Sequence, residues 1–246
     1  MSISSEEELE GLKRIGKIVR MALEAMKKHV RVGVSTADLD KIGEKVLEEN
    51  NARSAPMALY DYPAATCIST NDEIVHGVPG ERIVQEGDLV KLDVTAEKDG
   101  FIADAAITVP VGLLDPVHQK LMDCTKVALE KALEIVKPGA RIREIGRVVE
   151  KEAKKYKFGV IKELCGHGVG RHIHEDPKIP NNYNPWNRER LTDGLVITIE
   201  PMITVKKTKA IEDEDGWTMR TKDGSFAAHF EHSLVVTKNG PLLLTA

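Results

Sequence analysis

Long apolar runs are missing from this chain of 246 residues. None reaches the roughly 18 residues that would mark a membrane-spanning helix, so no membrane partner is expected. Cysteine is scarce. Cys67, Cys124 and Cys165 have no motif spacing, and an odd number without a framework argues for reduced thiols and a cytoplasmic location. Positive charge is not in excess: 35 Lys and Arg stand against 39 Asp and Glu, a net charge of -4. A global basic footprint is therefore absent, and no specific nucleic acid is expected as partner. The opening segment Met1 to Glu10 is acidic and polar, unlike a secretory signal. What is present is 41% hydrophobic and 30% charged residues, enough to bury a core and stay in solution.

The chain repeats itself. Shifted by 106 residues, Met21-Ala-Leu-Glu-Ala-Met and Val30-Arg-Val-Gly33 overlay Val127-Ala-Leu-Glu-Lys-Ala and Val136-Lys-Pro-Gly139. Each reads as an amphipathic helix stopped at a glycine, followed by a second helix, Thr36 to about Asn50 and Ile142 to about Tyr156. Ser35 with Asp38 resembles a capping box, and Asp115-Pro116 makes a good helix start. Smaller shifts continue the match. His76-Gly-Val is echoed by His167-Gly-Val, the strand Gly87 to Asp93 by Gly194 to Glu200, and Asp104-Ala-Ala-Ile-Thr by Glu231-His-Ser-Leu-Val. Chance similarity explains two helices more easily than a whole element order with an acid in each matching strand. The expectation is one α+β domain over 1–246, with pseudo-symmetric halves at about 10–110 and 116–240.

The repeated acids carry the chemistry. Glu97-Lys-Asp-Gly100 reads as a hairpin turn. If those four residues form the loop, Asp93 lies directly opposite Asp104, with Cβ atoms about 4.5–5.5 Å apart. Pseudo-symmetry brings Glu200 and Glu231 against them. Four buried carboxylates are untenable unpaired, and two divalent ions would neutralise all four. His167, in Cys165-Gly-His-Gly-Val-Gly, supplies a nitrogen ligand. Each member is weak alone: an isolated strand Asp is ordinarily an edge or turn residue, and a His beside glycines is ordinarily structural. Paired acids can also share a proton, but Asp-Thr-Gly and Asp-Ser-Gly are absent. The joint pattern is what is specific.

Those residues resemble a known family. Asp93-Val-Thr, Asp99-Gly-Phe, Asp104, Gly166-His-Gly-Val-Gly-Arg, His174-Glu-Asp-Pro, Thr198-Ile-Glu-Pro-Met202, Glu231-His and His76-Gly-Val-Pro are similar to the type I methionine aminopeptidases, metallopeptidases of family M24. The resemblance spans nearly the whole chain. It implies the pita-bread fold, with a curved antiparallel sheet covered by two helix pairs. It also implies hydrolytic removal of the first methionine from Met-Xaa peptides and nascent chains, preferably before a small second residue. Two divalent ions, Co, Mn, Fe or Zn, would be held by Asp93, Asp104, His167, Glu200 and Glu231, the pair bridged by Asp104 and Glu231. His76 and His174 would hydrogen-bond the substrate, and Glu200 would shuttle the proton. Tyr62, Cys67, His76, Ile173, His174 and Trp217 would line the methionine pocket. A monomer working near the ribosome is implied.

The chain departs from the family in places. Ala105 and Ala106 follow Asp104 where Thr or Ser is usual, which predicts weaker metal binding for want of a supporting hydroxyl. Ile173 stands where Phe is frequent, and Pro56 and Leu59 where others carry Cys and Tyr. Only 30 residues separate Glu200 from Glu231, too few for the helical insertion of the type II enzymes. No cysteine-rich extension precedes the first helix, as in the short prokaryotic form. Two alternatives remain open. One is an Xaa-Pro dipeptidase or aminopeptidase of the same fold, for whose extra N-terminal domain there is no room. The other is a non-catalytic pita-bread protein that binds a partner. Against it stand five intact ligands and only short basic runs, Lys154-Lys155 and Lys206-Lys207.

Overall fold

Ser5 opens the first helix in the computed structural model, which describes residues 1–246. Its hydroxyl accepts the backbone N–H of Glu8 at 3.2 Å, satisfying one of the donors that a helix start leaves free. That helix, α1, runs Glu6–His29. Leu12, Ile15, Val19, Ala22 and Met26 recur every three or four residues along it and are all fully buried, forming one apolar stripe. α2, Thr36–Glu49, is capped by Ser35, which accepts from the Asp38 N–H at 3.0 Å. A short α3 covers Ala55–Tyr60. α4, Pro116–Glu134, starts under Asp115, whose carboxylate accepts the Val117 N–H at 2.8 Å. α5 spans Ile142–Lys155. The two expected helix pairs are therefore present. The first helix of each pair stops four or five residues short of its glycine, at His29 and Glu134.

Each pair covers its own apolar cluster. Leu12, Val19, Met26 and Leu39 pack with Val90, Leu92 and Val94 of the central hairpin. Leu121, Leu129, Ile145 and Val149 pack with Ile197, Ile199 and Leu234. A fully buried Leu or Ile contributes roughly 1.5–3 kcal/mol by leaving water. No helix is long and apolar enough to cross a membrane.

All strand pairings are antiparallel, and hydrogen bonding divides them into four groups. The hairpin Leu89–Lys98 with Phe101–Pro110 dominates the first half. Its turn is tighter than expected. Lys98 pairs with Phe101, so the loop is Asp99-Gly100 alone, both left-handed at φ 54° and 78°. That is the backbone a two-residue Asp-Gly hairpin favours. Asp104 consequently faces Thr95, and Asp93 faces Ala106. The two acids are diagonal neighbours rather than a direct pair. They still share one face, because shortening the loop by two residues preserves the parity of the pleat.

In the second half, His232–Thr237 lies between Val196–Ile199 and Gly240–Leu243, and Val196–Ile199 also meets Cys165–Gly168. Two expectations need correction. Glu200 and Glu231 are not inside strands. Glu200 falls in the break between Val196–Ile199 and Met202–Thr204, and Glu231 in the break between Ala227–His229 and His232–Thr237. Release from the ladder lets both carboxylates turn inward. The echo of His76 and His167 is likewise inexact: His167 lies in a strand, while His76 directly follows the strand Glu73–Val75 with a left-handed φ of 58°.

The halves are stitched where the acids lie. The Asp104 N–H donates to the Ser233 hydroxyl at 2.9 Å, and that hydroxyl donates back to the Asp104 carbonyl at 2.7 Å. The Glu231 N–H donates to the Ala106 carbonyl at 2.9 Å. Thr108 makes the same kind of reciprocal pair with His229.

Candidate metal centre

Between the halves lies a cleft enclosing about 250 Å³. Asp93, Asp104, His167, Glu200 and Glu231 all line it, so the five expected ligands converge. His167 Nε2 is 3.4 Å from Glu200 Oε1 and 3.9 Å from Asp104 Oδ2. One oxygen of Asp104, one nitrogen of His167 and one oxygen of Glu231 lie within 4.8 Å of one another, and so do the donors of Asp93, His229 and Glu231.

Local backbone chemistry aims these groups. The Thr198 hydroxyl accepts the His167 N–H at 3.0 Å and donates to Glu200 Oε1 at 2.8 Å. His167 Nδ1 is 2.9 Å from the Gly168 carbonyl. A carbonyl only accepts, so Nδ1 carries the proton and Nε2 turns a lone pair to the carboxylates. The flanking glycines are steric requirements. A Cβ at Gly166 would stand 2.6 Å from the Thr198 carbonyl oxygen, and one at Gly168 would stand 2.3 Å from that of Asp176.

The electrostatics are those of a site built for cations. Burial, then the charges of Asp104 and Glu200, push Asp93 well above the usual carboxylate range. Burial pushes Asp104 to about 6, with the Thr95 hydroxyl restraining the rise. Glu200 and Glu231 are raised by burial and by Asp104. Desolvation depresses the imidazoles, His167 to about 4 and His229 to about 3, so their nitrogens stay free to ligate. Asp104 Oδ1 and Glu231 Oε1 are buried without a hydrogen-bond partner. Orphaned anionic oxygens on clustered acids fit divalent metal ions. Hard carboxylates with borderline imidazole suit first-row transition metals.

Beside the acids lies an apolar corner. Tyr62, Ala64 and Cys67 form a small buried cluster joined by Trp217. The Tyr62 and Trp217 rings meet edge to face at 5.1 Å, and the Tyr62 hydroxyl donates to the Gly77 carbonyl at 2.8 Å. Cys67 is the cross-strand partner of Asp93, which places the corner next to the acids. His76, Ile173 and His174 also line the cleft. His174 is exposed at the mouth, its ring 4.5 Å from that of His167. Burial and then His174 lower His76 to about 4.

Two residues escaped the sequence reading. Tyr60 reaches the cleft and bonds His174 Nδ1 at 3.0 Å. Leu59, expected at a position where the family carries tyrosine, is exposed, and its neighbour Tyr60 supplies an aromatic hydroxyl to the rim. The second is His229, buried and facing Glu231. Its signal was the spacing His229-x-Glu231, two residues apart on either side of a strand end.

The model of metallopeptidase family M24 matches residues 10–238. The chain is 45% identical to methionine aminopeptidase 2 of Bacillus subtilis, over all of this chain and 99% of that protein. It is 43% identical to the methionine aminopeptidase of Aquifex aeolicus, over all of this chain and 98% of that one. The crystal structure of methionine aminopeptidase from Thermotoga maritima superposes with a TM-score of 0.96 at 37% identity, covering 100% of this chain and 99% of that one. The prolidase of Pyrococcus furiosus shares the fold more distantly, with a TM-score of 0.79 at 24% identity over 65% of its length.

Proposed function

This chain belongs to metallopeptidase family M24, and we infer from that membership that it is a methionyl aminopeptidase, hydrolysing the first peptide bond of Met-Xaa peptides and nascent chains. One observation carries the reading: the carboxylates and imidazoles of a cation site share a cleft with an aromatic, sulfur-lined corner. Thioethers favour aromatic contacts, so Tyr62, Cys67 and Trp217 suit the methionine side chain. Identity to methionine aminopeptidases across the full chain favours this over an Xaa-Pro enzyme: the prolidase of Pyrococcus furiosus is 24% identical and the Xaa-Pro dipeptidase of Bacillus anthracis 21%. The convergence of the whole donor set on one cleft speaks against a non-catalytic binding protein.

Asp93, Asp104, His167, Glu200 and Glu231 would hold two divalent ions, with Co, Mn, Fe and Zn as the candidates. When bound, such ions acidify water and polarise a peptide carbonyl. The chain's own groups do the rest. The apolar corner seats the methionine side chain and presents its free amine to the acids, which restricts action to the chain end. His76 and His174 donate hydrogen bonds to the substrate carbonyl and leaving nitrogen. Thr198 holds Glu200 Oε1, leaving Oε2 to take the proton from the attacking water and pass it to the leaving nitrogen as the C–N bond breaks.

The cleft is built from both halves of a single chain, which supports one catalytic domain over 1–246, acting as a monomer. Nascent-chain substrates and three free cysteines support a cytoplasmic enzyme near the ribosome. The test is cleavage of Met-Gly-Met against Ala-Pro peptides, before and after chelation and return of Mn(II) or Co(II). Metal-dependent release of methionine is expected. Faster release from the proline peptide, or activity indifferent to chelation, overturns the reading.

A further inference from the structure

His229 has no place in the five-ligand set, yet it is among the most enclosed groups in the cleft, 1% exposed. Neither ring nitrogen has a hydrogen-bond partner. An unpaired buried imidazole costs free energy, so the position calls for a partner. Its backbone leaves little freedom to find one elsewhere. The His229 N–H donates to the Thr108 hydroxyl at 2.9 Å, and the Thr108 hydroxyl donates to the His229 carbonyl at 2.7 Å. So held, Nε2 points at the acids, 3.6 Å from Glu231 Oε2 and 4.0 Å from Glu200 Oε2. Both distances are too long for a hydrogen bond. They suit two donors facing a common cation.

The donors fall into two triads. Asp104, His167 and Glu231 form one, and Asp93, His229 and Glu231 the other, each with donor atoms within 4.8 Å of one another. Glu231 is common to both. We propose that His229 is a sixth metal ligand, completing with Asp93 and Glu231 a second cation position, so that each of the two positions has its own imidazole. The proposal rests on the metallopeptidase reading and adds a selectivity to it. A carboxylate-only position suits Mg(II) or Mn(II), whereas an added imidazole shifts preference toward Co(II), Fe(II) or Zn(II).

The test uses the full chain, stripped with chelator and titrated with Co(II) by calorimetry and visible absorption, alongside His229→Gln. The wild type is expected to take two ions. In His229→Gln the tighter event should persist while the weaker loses at least about tenfold in affinity and its absorption changes. A Zn(II) over Mn(II) preference at that event should shrink with it. Should the variant fail to fold, X-ray absorption of the wild type with two Co(II) bound decides. An average near one imidazole per cobalt supports the assignment, and an average near one half overturns it. Two ions bound by His229→Gln with affinities and spectrum unchanged also overturns it, while leaving the metallopeptidase reading intact. No ion bound by the wild type would sink both.

Discussion

Thr198 and Glu200 are joined by a 2.8 Å hydrogen bond from hydroxyl to carboxylate, and the same hydroxyl accepts the buried N–H of His167. One side chain thus sets the spacing of two candidate ligands. Thr198→Val keeps the shape and removes both bonds. Losing support of this kind typically lowers metal affinity about 10–100-fold. Activity should fall by a similar factor at limiting metal and recover at high metal. Titration of activity against Mn(II) checks it, and a loss that excess metal does not repair would contradict it.

Glu231→Gln separates function from stability. It removes one of several buried carboxylates raised first by burial and then by one another's charges, relieving the cost of enclosing clustered acids in the metal-free fold. The chelated variant should melt higher than chelated wild type, by a difference on the order of 1–2 kcal/mol. Its aminopeptidase activity should fall to background. A lower melting temperature for the chelated variant would show that the carboxylate is not under electrostatic strain.

Metal uptake should depend on pH in a defined direction. Asp104 sits at about 6, above its ordinary value, so below that pH it holds a proton that a cation must displace. His167, at about 4, is already neutral there and does not compete. Asp93, Glu200 and Glu231 are raised as well, so affinity should weaken as pH falls toward and through 6, by about tenfold per pH unit for each proton displaced. Proton release on binding should appear as a dependence of calorimetric heat on the buffer's ionisation enthalpy. An affinity that is flat between pH 5 and 7 would refute the mechanism.

The aromatic corner should govern substrate affinity. Trp217→Ala removes the edge-to-face partner of Tyr62, a contact worth about 0.5–1.5 kcal/mol. KM for Met-Gly-Met should rise up to about tenfold, with kcat changed less and metal affinity unchanged. A loss confined to kcat would place Trp217 outside the methionine pocket.

Gly168→Ala should damage the fold next to His167. The added Cβ would lie 2.3 Å from the Asp176 carbonyl oxygen, so the strands Cys165–Gly168 and Glu175–Pro180 must part. A cost of about 2–4 kcal/mol is expected, read by denaturant unfolding. The same change at Gly139, with nothing within 4 Å but a φ of 84°, should cost less.

Much of this molecule can be read along the chain. The helix pairs follow from apolar spacing and from caps at Ser35 and Asp115, which are local interactions between residues a few positions apart. That Asp93 and Asp104 share a face follows from pleat parity, which an even change in loop length leaves intact. Their diagonal pairing does not follow, because it depends on whether Asp99-Gly100 or a longer segment makes the turn. The inward aim of Glu200 and Glu231 depends on breaks in strands that read as continuous, and these are set by where the two halves meet. His229 is the clearest case. The spacing His229-x-Glu231 is its one signal along the chain, and that spacing alone does not separate a core histidine from a ligand. Its role emerges once Thr108, more than a hundred residues away, fixes its backbone and folding leaves Nε2 facing Glu231 and Glu200 with neither ring nitrogen hydrogen-bonded.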